Sequence, residues 1–213
     1  PMSARRQRQM CIRDSFEGVL IPEIWQYVAE ATDSKDLMLT TQDLKDYDEL
    51  MQLRMNVVNE KNIKLSDIQE IVKTMEPFEG AENFLSWARA NFQVSIVSDT
   101  FYELAWPLVE KLNFPNIICH HLIVEKDKIS GYELRQENNK QKVIEALKSL
   151  NFKVFAAGDS YNDINMLSNA DLGIFFQAPE HIKAEFPNLR TADTHEELKK
   201  ILQENICLLY TSD

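Results

Sequence analysis

The 213-residue sequence has few cysteines and few glycines, and it contains no long apolar run. Three cysteines, Cys11, Cys119 and Cys207, are too few and too scattered for a disulfide framework or a zinc site. This composition indicates a reducing compartment, and we expect the cytoplasm. No apolar segment approaches the length of a transmembrane helix, so we expect no membrane partner.

Basic residues are also scarce. Lysine and arginine number 23 against 34 aspartates and glutamates, which gives a formal net charge of −11. Phosphate backbones require a basic surface, so we expect no nucleic-acid partner. Hydrophobic residues make up 44% of the chain, which is enough for one packed core. The length suits one domain with a modest insertion.

Short β-branched segments alternate with helical patterns in the second half of the chain, for example at residues 94–97 and 153–157. This alternation predicts an α/β fold with a doubly wound parallel sheet. Residues 24–75 carry no strand signal, so we interpret them as a helical insertion. We expect residues 98–100 to open the helix after strand 94–97, and that helix to bend or restart at Pro107.

The most informative segment continues the strand at 153–157 into Gly158-Asp159-Ser160-Tyr161-Asn162-Asp163. In an open α/β sheet, ligands bind at the carboxyl ends of the strands, which places Asp159 there and Asp163 one helical turn onward. Two carboxylates combined with water and phosphate oxygens suit Mg²⁺. Either aspartate alone would be interpreted as a helix-capping acid, but this combination is hard to obtain by accident.

Two further segments suit a phosphate group. Ser98 and Asp99 follow a strand, and a hydroxyl beside free backbone N–H groups at a helix start forms an anion site. Lys140 begins another predicted helix, where a cation is unfavourable unless an anion lies nearby. Each segment has an ordinary alternative, namely a helix cap for Ser98 and Asp99 and a solvated surface lysine for Lys140.

Together with Glu17-Gly18-Val19-Leu20, these segments stand in an order that resembles the four motifs of the haloacid dehalogenase-like phosphohydrolases. The similarity is closer to the phosphoserine phosphatase branch, including members that also transfer phosphate to homoserine. The segments that carry the closer similarity are residues 22–25, 46–48, 98–103 and 158–163, and the likeness covers roughly residues 16–205.

The resemblance implies a haloacid dehalogenase-like fold with a small helical cap inserted after the first strand. Residues 16–23 and 76–205 would form the phosphatase core, and residues 24–75 the cap. The implied activity is Mg²⁺-dependent hydrolysis of phosphoserine through an aspartyl-phosphate. The implied substrate is a small phosphorylated amino acid, and a homodimer is left open.

The resemblance also assigns roles to matching residues. Glu17 matches the general acid/base and, through its backbone carbonyl, a metal ligand. Asp159 matches a metal ligand, and Asp163 matches a residue that holds a metal-bound water or a neighbouring ligand. The matches to substrate contacts are Ser98, Lys140 and Asn162 at the phosphoryl group, Glu23 at the substrate ammonium and Arg54 at its carboxylate. Asp99, beside Ser98, is also placed among the substrate-binding residues. Without the resemblance, Arg54 would be interpreted as a surface helical residue.

Position 15 departs from the family pattern. The nucleophilic aspartate of the family would stand there, and this chain has Ser15. Alternate residues of a strand share a face, so Asp14 points away from Glu17 and is a poor replacement. Serine also removes one carboxylate from the Mg²⁺ site. We therefore expect the chain as written to be inactive or nearly so.

The two ends of the chain differ from the rest. Residues 9–14 supply only three apolar residues, where a central parallel strand should be a continuous apolar run. Residues 10–15 and 207–213 resemble translated sequencing-adapter ends of assembled genes. We therefore interpret residues 1–15 and 206–213 as non-native ends of a parent gene that encodes an active enzyme.

Two other functional classes stay open. One is a non-catalytic phosphate-binding homologue, which only Ser15 supports. The other is the receiver domain of a response regulator, against which the helical insertion and the 158–163 motif argue.

The remaining histidines and tryptophans of interest are not assigned to a site. His120 and His121 are taken as strand-edge or loop residues, and Trp25, Trp87 and Trp106 as packing residues.

Overall fold

A seven-stranded sheet forms the centre of the computed structural model. The structure describes residues 9–14, 16–40, 43–44 and 46–211, with side chains for 16–40, 43–44 and 46–205, so the prediction on Ser15 lies outside the described residues. The strands are β1 (Gln9–Asp14), β2 (Gln93–Phe101), β3 (Asn116–Glu125), β4 (Lys128–Glu133), β5 (Lys153–Gly158), β6 (Leu172–Phe176) and β7 (Arg190–Ala192).

The strand order is β4-β3-β2-β1-β5-β6-β7. All neighbouring pairs are parallel except β3 and β4, which form an antiparallel hairpin at one edge. The helices are α1 (Ile24–Ala31), α2 (Tyr47–Glu60), α3 (Leu65–Lys73), α4 (Ala81–Asn91), α5 (Tyr102–Lys111), α6 (Asn139–Ser149), α7 (Ile164–Asn169), α8 (Glu180–Glu185) and α9 (His195–Thr211).

Helices cover both faces of the sheet, because successive side chains of β5 point to opposite faces and both buried sets are apolar. Phe155 and Ala157 pack in an apolar cluster with α4 and α9 on one face. Val154 and Ala156 pack in a second cluster with α6, α7 and α8 on the other. A strand with both faces buried is expected to be a continuous apolar run, and β5 is one from Val154 onward, after the exposed Lys153. The predicted doubly wound α/β fold is confirmed.

The backbone of β1 occupies the centre of the sheet. Its register places Asp14 opposite Val97 of β2 and Arg13 opposite Ala157 of β5. Gln9–Asp14 therefore forms a central strand although its composition argued against one, because ladder hydrogen bonds join backbone groups whatever the side chains are. The non-native origin of the two chain ends stays a prediction.

One expectation about the segment after strand 94–97 was wrong. Ser98 does not open a helix, because β2 continues to Phe101 and α5 begins at Tyr102. The helix α5 does not restart at Pro107, because it runs through that residue as one element, and the expected bend there stays a prediction. Proline has no N–H for the carbonyl four residues earlier, which is that of Glu103. That carbonyl accepts a hydrogen bond from Gln69 Nε2 at 2.8 Å instead.

The segment between β1 and α4 contains α1, α2, α3 and a 3₁₀ turn at Lys35–Met38, with no strand among its described residues. Its apolar side chains, such as Val28 and Val72, belong to one cluster with Leu104 and Leu108 of α5. The insertion therefore packs on the sheet domain through a shared core. No helix in the described part of the chain has the length and apolarity to cross a bilayer.

His195, at the start of α9, joins three separate parts of the fold. Its side chain is buried, with Nδ1 3.0 Å from the carbonyl oxygen of Glu79 and Nε2 3.0 Å from that of Val19. A neutral imidazole donates through only one nitrogen, so both contacts are hydrogen bonds when the ring is protonated. The contacts tie α9 to the turn after β1 and to the segment that precedes α4.

We predict that His195→Phe lowers the free energy of unfolding by about 1–3 kcal/mol, because it removes the contact to the buried Val19 carbonyl and the partly buried contact to the Glu79 carbonyl. Urea unfolding of the two proteins measures the difference. His181→Phe, at an exposed position of α8, is the matched control and should change stability little. Equal stability of the His195→Phe variant and the parent would contradict the proposed role of His195.

Candidate active site

A cavity of about 470 Å³ lies where β2 and β5 end, beneath the insertion. Parallel α/β sheets bind their ligands at this edge. The structure brings together in its wall most of the residues that the sequence singled out. These are Glu17, Glu23, Arg54, Ser98, Asp99, Lys140, Asp159 and Asn162.

Asp163 lies behind the wall and is completely buried. Its Oδ2 accepts hydrogen bonds from the backbone N–H groups of Asp159 at 2.9 Å and Ser160 at 3.0 Å, and from the Ser160 hydroxyl at 3.1 Å. Burial raises the pKa of Asp163 to about 7, although the hydrogen bonds from these two backbone N–H groups act in the opposite direction and lower it. Both carboxylate oxygens have protein partners, so in this structure Asp163 holds the loop that carries Asp159.

Lys140 is a buried cation of the site. Its Nζ lies 2.9 Å from Asp163 Oδ1 and 3.0 Å from Asp99 Oδ2, so it joins the ends of β5 and β2. Burial alone would raise the pKa of Asp99, but Lys140 and then His120 favour its carboxylate and hold the pKa well below the usual range. The alternative of a solvated surface lysine is wrong, because only 8% of Lys140 is exposed.

Two residues beside Asp99 were missed by sequence reasoning. His120 is buried, its Nδ1 accepts the backbone N–H of Arg135 at 3.1 Å, and its Nε2 lies 3.7 Å from Asp99 Oδ1. Tyr47 of α2 donates its hydroxyl to the Asp99 carbonyl oxygen at 3.0 Å. One signal was available for His120, because it directly follows the short apolar segment at residues 117–119, which is typical of a strand. The acidic partner is distant in sequence, so spacing could not reveal it.

Glu23 and Arg54 lie together in the cavity wall. Burial is the main cause that raises the pKa of Glu23 to about 9, and the neighbouring Glu17 raises it further, whereas Arg54 lowers it. A Glu23 carboxyl with this pKa is neutral at pH 7, and a ligand ammonium beside it would favour the charged form.

Arg54 is also buried, so the interpretation as a surface residue is wrong. Its Nη2 donates to the Leu39 carbonyl at 2.9 Å, and its Cζ lies 5.1 Å from the ring centroid of Trp25. Burial lowers the pKa of Arg54, whereas the charge of Glu17 opposes the lowering. Trp25 therefore contacts a charged residue of the cavity wall as well as the apolar cluster. Trp106, also interpreted as packing, is 53% exposed.

Asp159 and the turn that carries Glu17 approach each other closely. Gly18 has a φ of +82°, and a Cβ built on it would lie 2.4 Å from Asp159 Oδ2. Only glycine allows this approach. Among the described residues, no three histidine, cysteine, aspartate or glutamate side chains form a metal-binding group. The Asp159 carboxylate with the Glu17 carbonyl, water and a phosphate oxygen nevertheless fits Mg²⁺, which uses few protein ligands.

The family model of haloacid dehalogenase-like hydrolases matches residues 43–168 of the chain. Over 186 residues the chain is 50% identical to a protein of Pseudomonas aeruginosa named phosphoserine phosphatase ThrH, which covers 87% of this chain and 91% of that protein. It is 49% identical over 186 residues to a phosphoserine phosphatase of Pseudomonas syringae pv. tomato, covering 87% of this chain and 78% of the relative.

Solved structures resemble the fold. A crystal structure of phosphoserine phosphatase in apo form superimposes with a TM-score of 0.73 and 22% identity, covering 92% of this chain and 98% of the other. A substrate-bound phosphoserine phosphatase complex gives the same TM-score and identity over 93% and 99% of the two chains. The matched family model, the half-identical relatives and the shared fold agree, and the chain belongs to the haloacid dehalogenase-like hydrolases, in the phosphoserine phosphatase branch.

Proposed function

We propose that the site is built to hydrolyse phosphoserine with the help of Mg²⁺. The observation that carries the proposal is a single cavity with a buried ammonium, Lys140, in one part of its wall and the pair of Glu23 and Arg54 in another. A phosphate, an ammonium and a carboxylate are the three charged groups of phosphoserine. The names of the half-identical relatives support this choice of substrate.

Each residue has a role in this proposal. Lys140, Ser98 and Asn162 bind the phosphoryl oxygens, and the ion pairs with Asp163 and Asp99 hold Lys140 in place. Asp159 and the Glu17 carbonyl would hold Mg²⁺, which neutralises charge on the transferring group when bound. The Glu17 carboxyl protonates the oxygen of the departing serine and then accepts a proton from the attacking water. The assignment of Asp163 to the metal stays a prediction.

The insertion supplies the contact to the substrate carboxylate in this proposal, whereas Glu23, at the ammonium, belongs to the core. Residues 24–75 act as the cap over a core of residues 16–23 and 76–205, and Arg54 comes from that cap. Homoserine also carries an ammonium, a carboxylate and a hydroxyl, so it could replace water as the acceptor at the same contacts. The cytoplasm and a homodimer also stay predictions.

Ser15 favours a second candidate, a non-catalytic protein that binds the phosphorylated amino acid. The phosphoryl group would normally pass to an aspartate at position 15, and splitting the transfer into two steps requires that nucleophile. The other residues proposed to bind the substrate are present in the cavity wall. Binding of the substrate can therefore be measured separately from its turnover.

We predict that Ser15→Asp produces phosphoserine phosphatase activity at least about a thousandfold above the chain as written, because it supplies both a nucleophile and a metal-binding carboxylate. The first strand needs no rebuilding, because Gln9–Asp14 already pairs with β2 and β5. Phosphate release and hydroxylamine-labile labelling from radioactive phosphoserine should be measured on both proteins. Equal turnover by both would indicate that Asp14 is the nucleophile or that the register is wrong.

The second prediction concerns Asp159. In the Ser15→Asp background, Asp159→Asn should weaken Mg²⁺ binding, measured by titration calorimetry, and reduce Mg²⁺-dependent turnover at least about 100-fold. Asp171→Asn is the control, because Asp171 contacts Lys153 and Val154 at the opposite edge of the sheet. Unchanged Mg²⁺ affinity in the Asp159→Asn variant would remove Asp159 from the metal site.

The third prediction concerns Arg54. In the same background, Arg54→Ala should cost about 2–5 kcal/mol in kcat/KM on phosphoserine, as expected when one partner of a desolvated charge pair is removed. Phosphoethanolamine, which lacks the carboxylate, should be hydrolysed as before. Arg89→Ala is the control, because Arg89 also donates to a backbone carbonyl but lies outside the cavity wall. Equal losses on both substrates would exclude carboxylate recognition by Arg54.

A further inference from the structure

Trp25 of α1 is a buried tryptophan whose ring lies against a cation. The Cζ atom of Arg54 is 5.1 Å from the centroid of that ring. Both side chains form part of the cavity wall. The face of an indole ring carries negative electrostatic potential, so it attracts a guanidinium, and more strongly where water is excluded.

Three contacts restrain the guanidinium of Arg54. One is the Trp25 ring, the second is the Leu39 carbonyl at 2.9 Å from Nη2, and the third is the Met51 sulfur at 3.9 Å from Nη1. The Nε atom is buried, and it has no hydrogen-bond partner among the described residues. A buried donor without an acceptor is unfavourable, so an acceptor from a ligand or water is expected there.

We propose that Trp25 is a positioning residue that sets the affinity of the site for the substrate carboxylate through Arg54. This inference rests on the proposed function. A guanidinium binds a carboxylate best through two parallel N–H bonds, which requires its plane to be oriented in advance. The indole ring fixes that plane and excludes water from one side of it. Without the ring, the arginine side chain regains rotamer freedom that it must lose on binding.

An ordinary packing role for Trp25 makes a different prediction. Trp25 belongs to the apolar cluster that the insertion shares with α5. If it acted only as packing, its removal would lower stability and would weaken every ligand to a similar extent. A role through Arg54 weakens only ligands that carry a carboxylate, and it disappears when Arg54 is absent.

The test is titration calorimetry of phosphoserine and phosphoethanolamine in the presence of Mg²⁺, on the chain as written, where slow turnover does not interfere. The variants are Trp25→Leu, Trp25→Phe, Arg54→Ala and the double variant Trp25→Leu/Arg54→Ala. Trp87→Leu is the matched control, because the Trp87 ring has Lys199 Nζ at 5.9 Å from its centroid and lies outside the cavity wall.

Trp25→Leu should weaken phosphoserine binding about 5- to 30-fold and leave phosphoethanolamine binding unchanged. Trp25→Phe should restore most of the loss, since phenylalanine also presents an aromatic face. In the Arg54→Ala background, Trp25→Leu should cause no further loss, because the two residues are coupled. Trp87→Leu should leave the ratio of the two affinities unchanged.

Two results would overturn the positioning role alone: a similar loss on both ligands in Trp25→Leu, or a full further loss in the double variant. In either case Arg54→Ala would still discriminate between the ligands, and the proposed function would stand. If the unsubstituted chain binds phosphoserine no better than phosphoethanolamine, or binds neither, both proposals are wrong.

Discussion

The carboxylate of Asp163 has no contact with solvent, and a charge in such a place is stable only when donors surround it. Two backbone N–H groups and a hydroxyl from the loop after β5 bind one of its oxygens, and Lys140 of α6 binds the other. The same ammonium binds Asp99 at the end of β2. One buried charge network therefore fixes two strand ends and a helix start relative to one another, and the phosphate end of the cavity is organised by the protein alone.

The other end of the cavity is organised by the insertion. Arg54 comes from α2 and Trp25 from α1, whereas Lys140, Asp99 and Asp159 come from the sheet domain. The fold thus places the groups that would act on a phosphoryl group in the sheet domain, and the arginine that would recognise a substrate carboxylate in the insertion. Such a division allows substrate preference to change through the insertion while the charge network of the sheet domain is kept.

The sequence predicted the parts of the structure that local pattern controls. The continuous apolar run of β5 and the Gly158–Asp163 motif were sufficient to place Asp159 at the sheet edge. The sequence could not show that β2 continues past Ser98, because a serine and an aspartate there equally suit a helix cap. The burial of Lys140 and Arg54 and the position of His120 depend on partners far away in the chain, so neither composition nor spacing reveals them.

For β1 the composition was misleading. Few apolar residues argued against a central strand, whereas the resemblance implied a first strand before the insertion. The backbone of Gln9–Asp14 pairs with β2 and β5, in agreement with the resemblance. Pairing on both sides satisfies the backbone groups of a strand even when its side chains are poorly suited to the position.

The shared core between the insertion and the sheet domain limits how the site can open. Apolar residues of the insertion form one cluster with α5. Gln69 of the insertion also donates to the Glu103 carbonyl, which has no helical donor because Pro107 lacks an N–H. An outward rotation of the insertion would expose that apolar surface to water and leave the carbonyl unsatisfied. Small sliding movements keep packed side chains in contact and avoid both costs. The shared core therefore makes an outward rotation of the insertion more costly than a small sliding movement of the same helices.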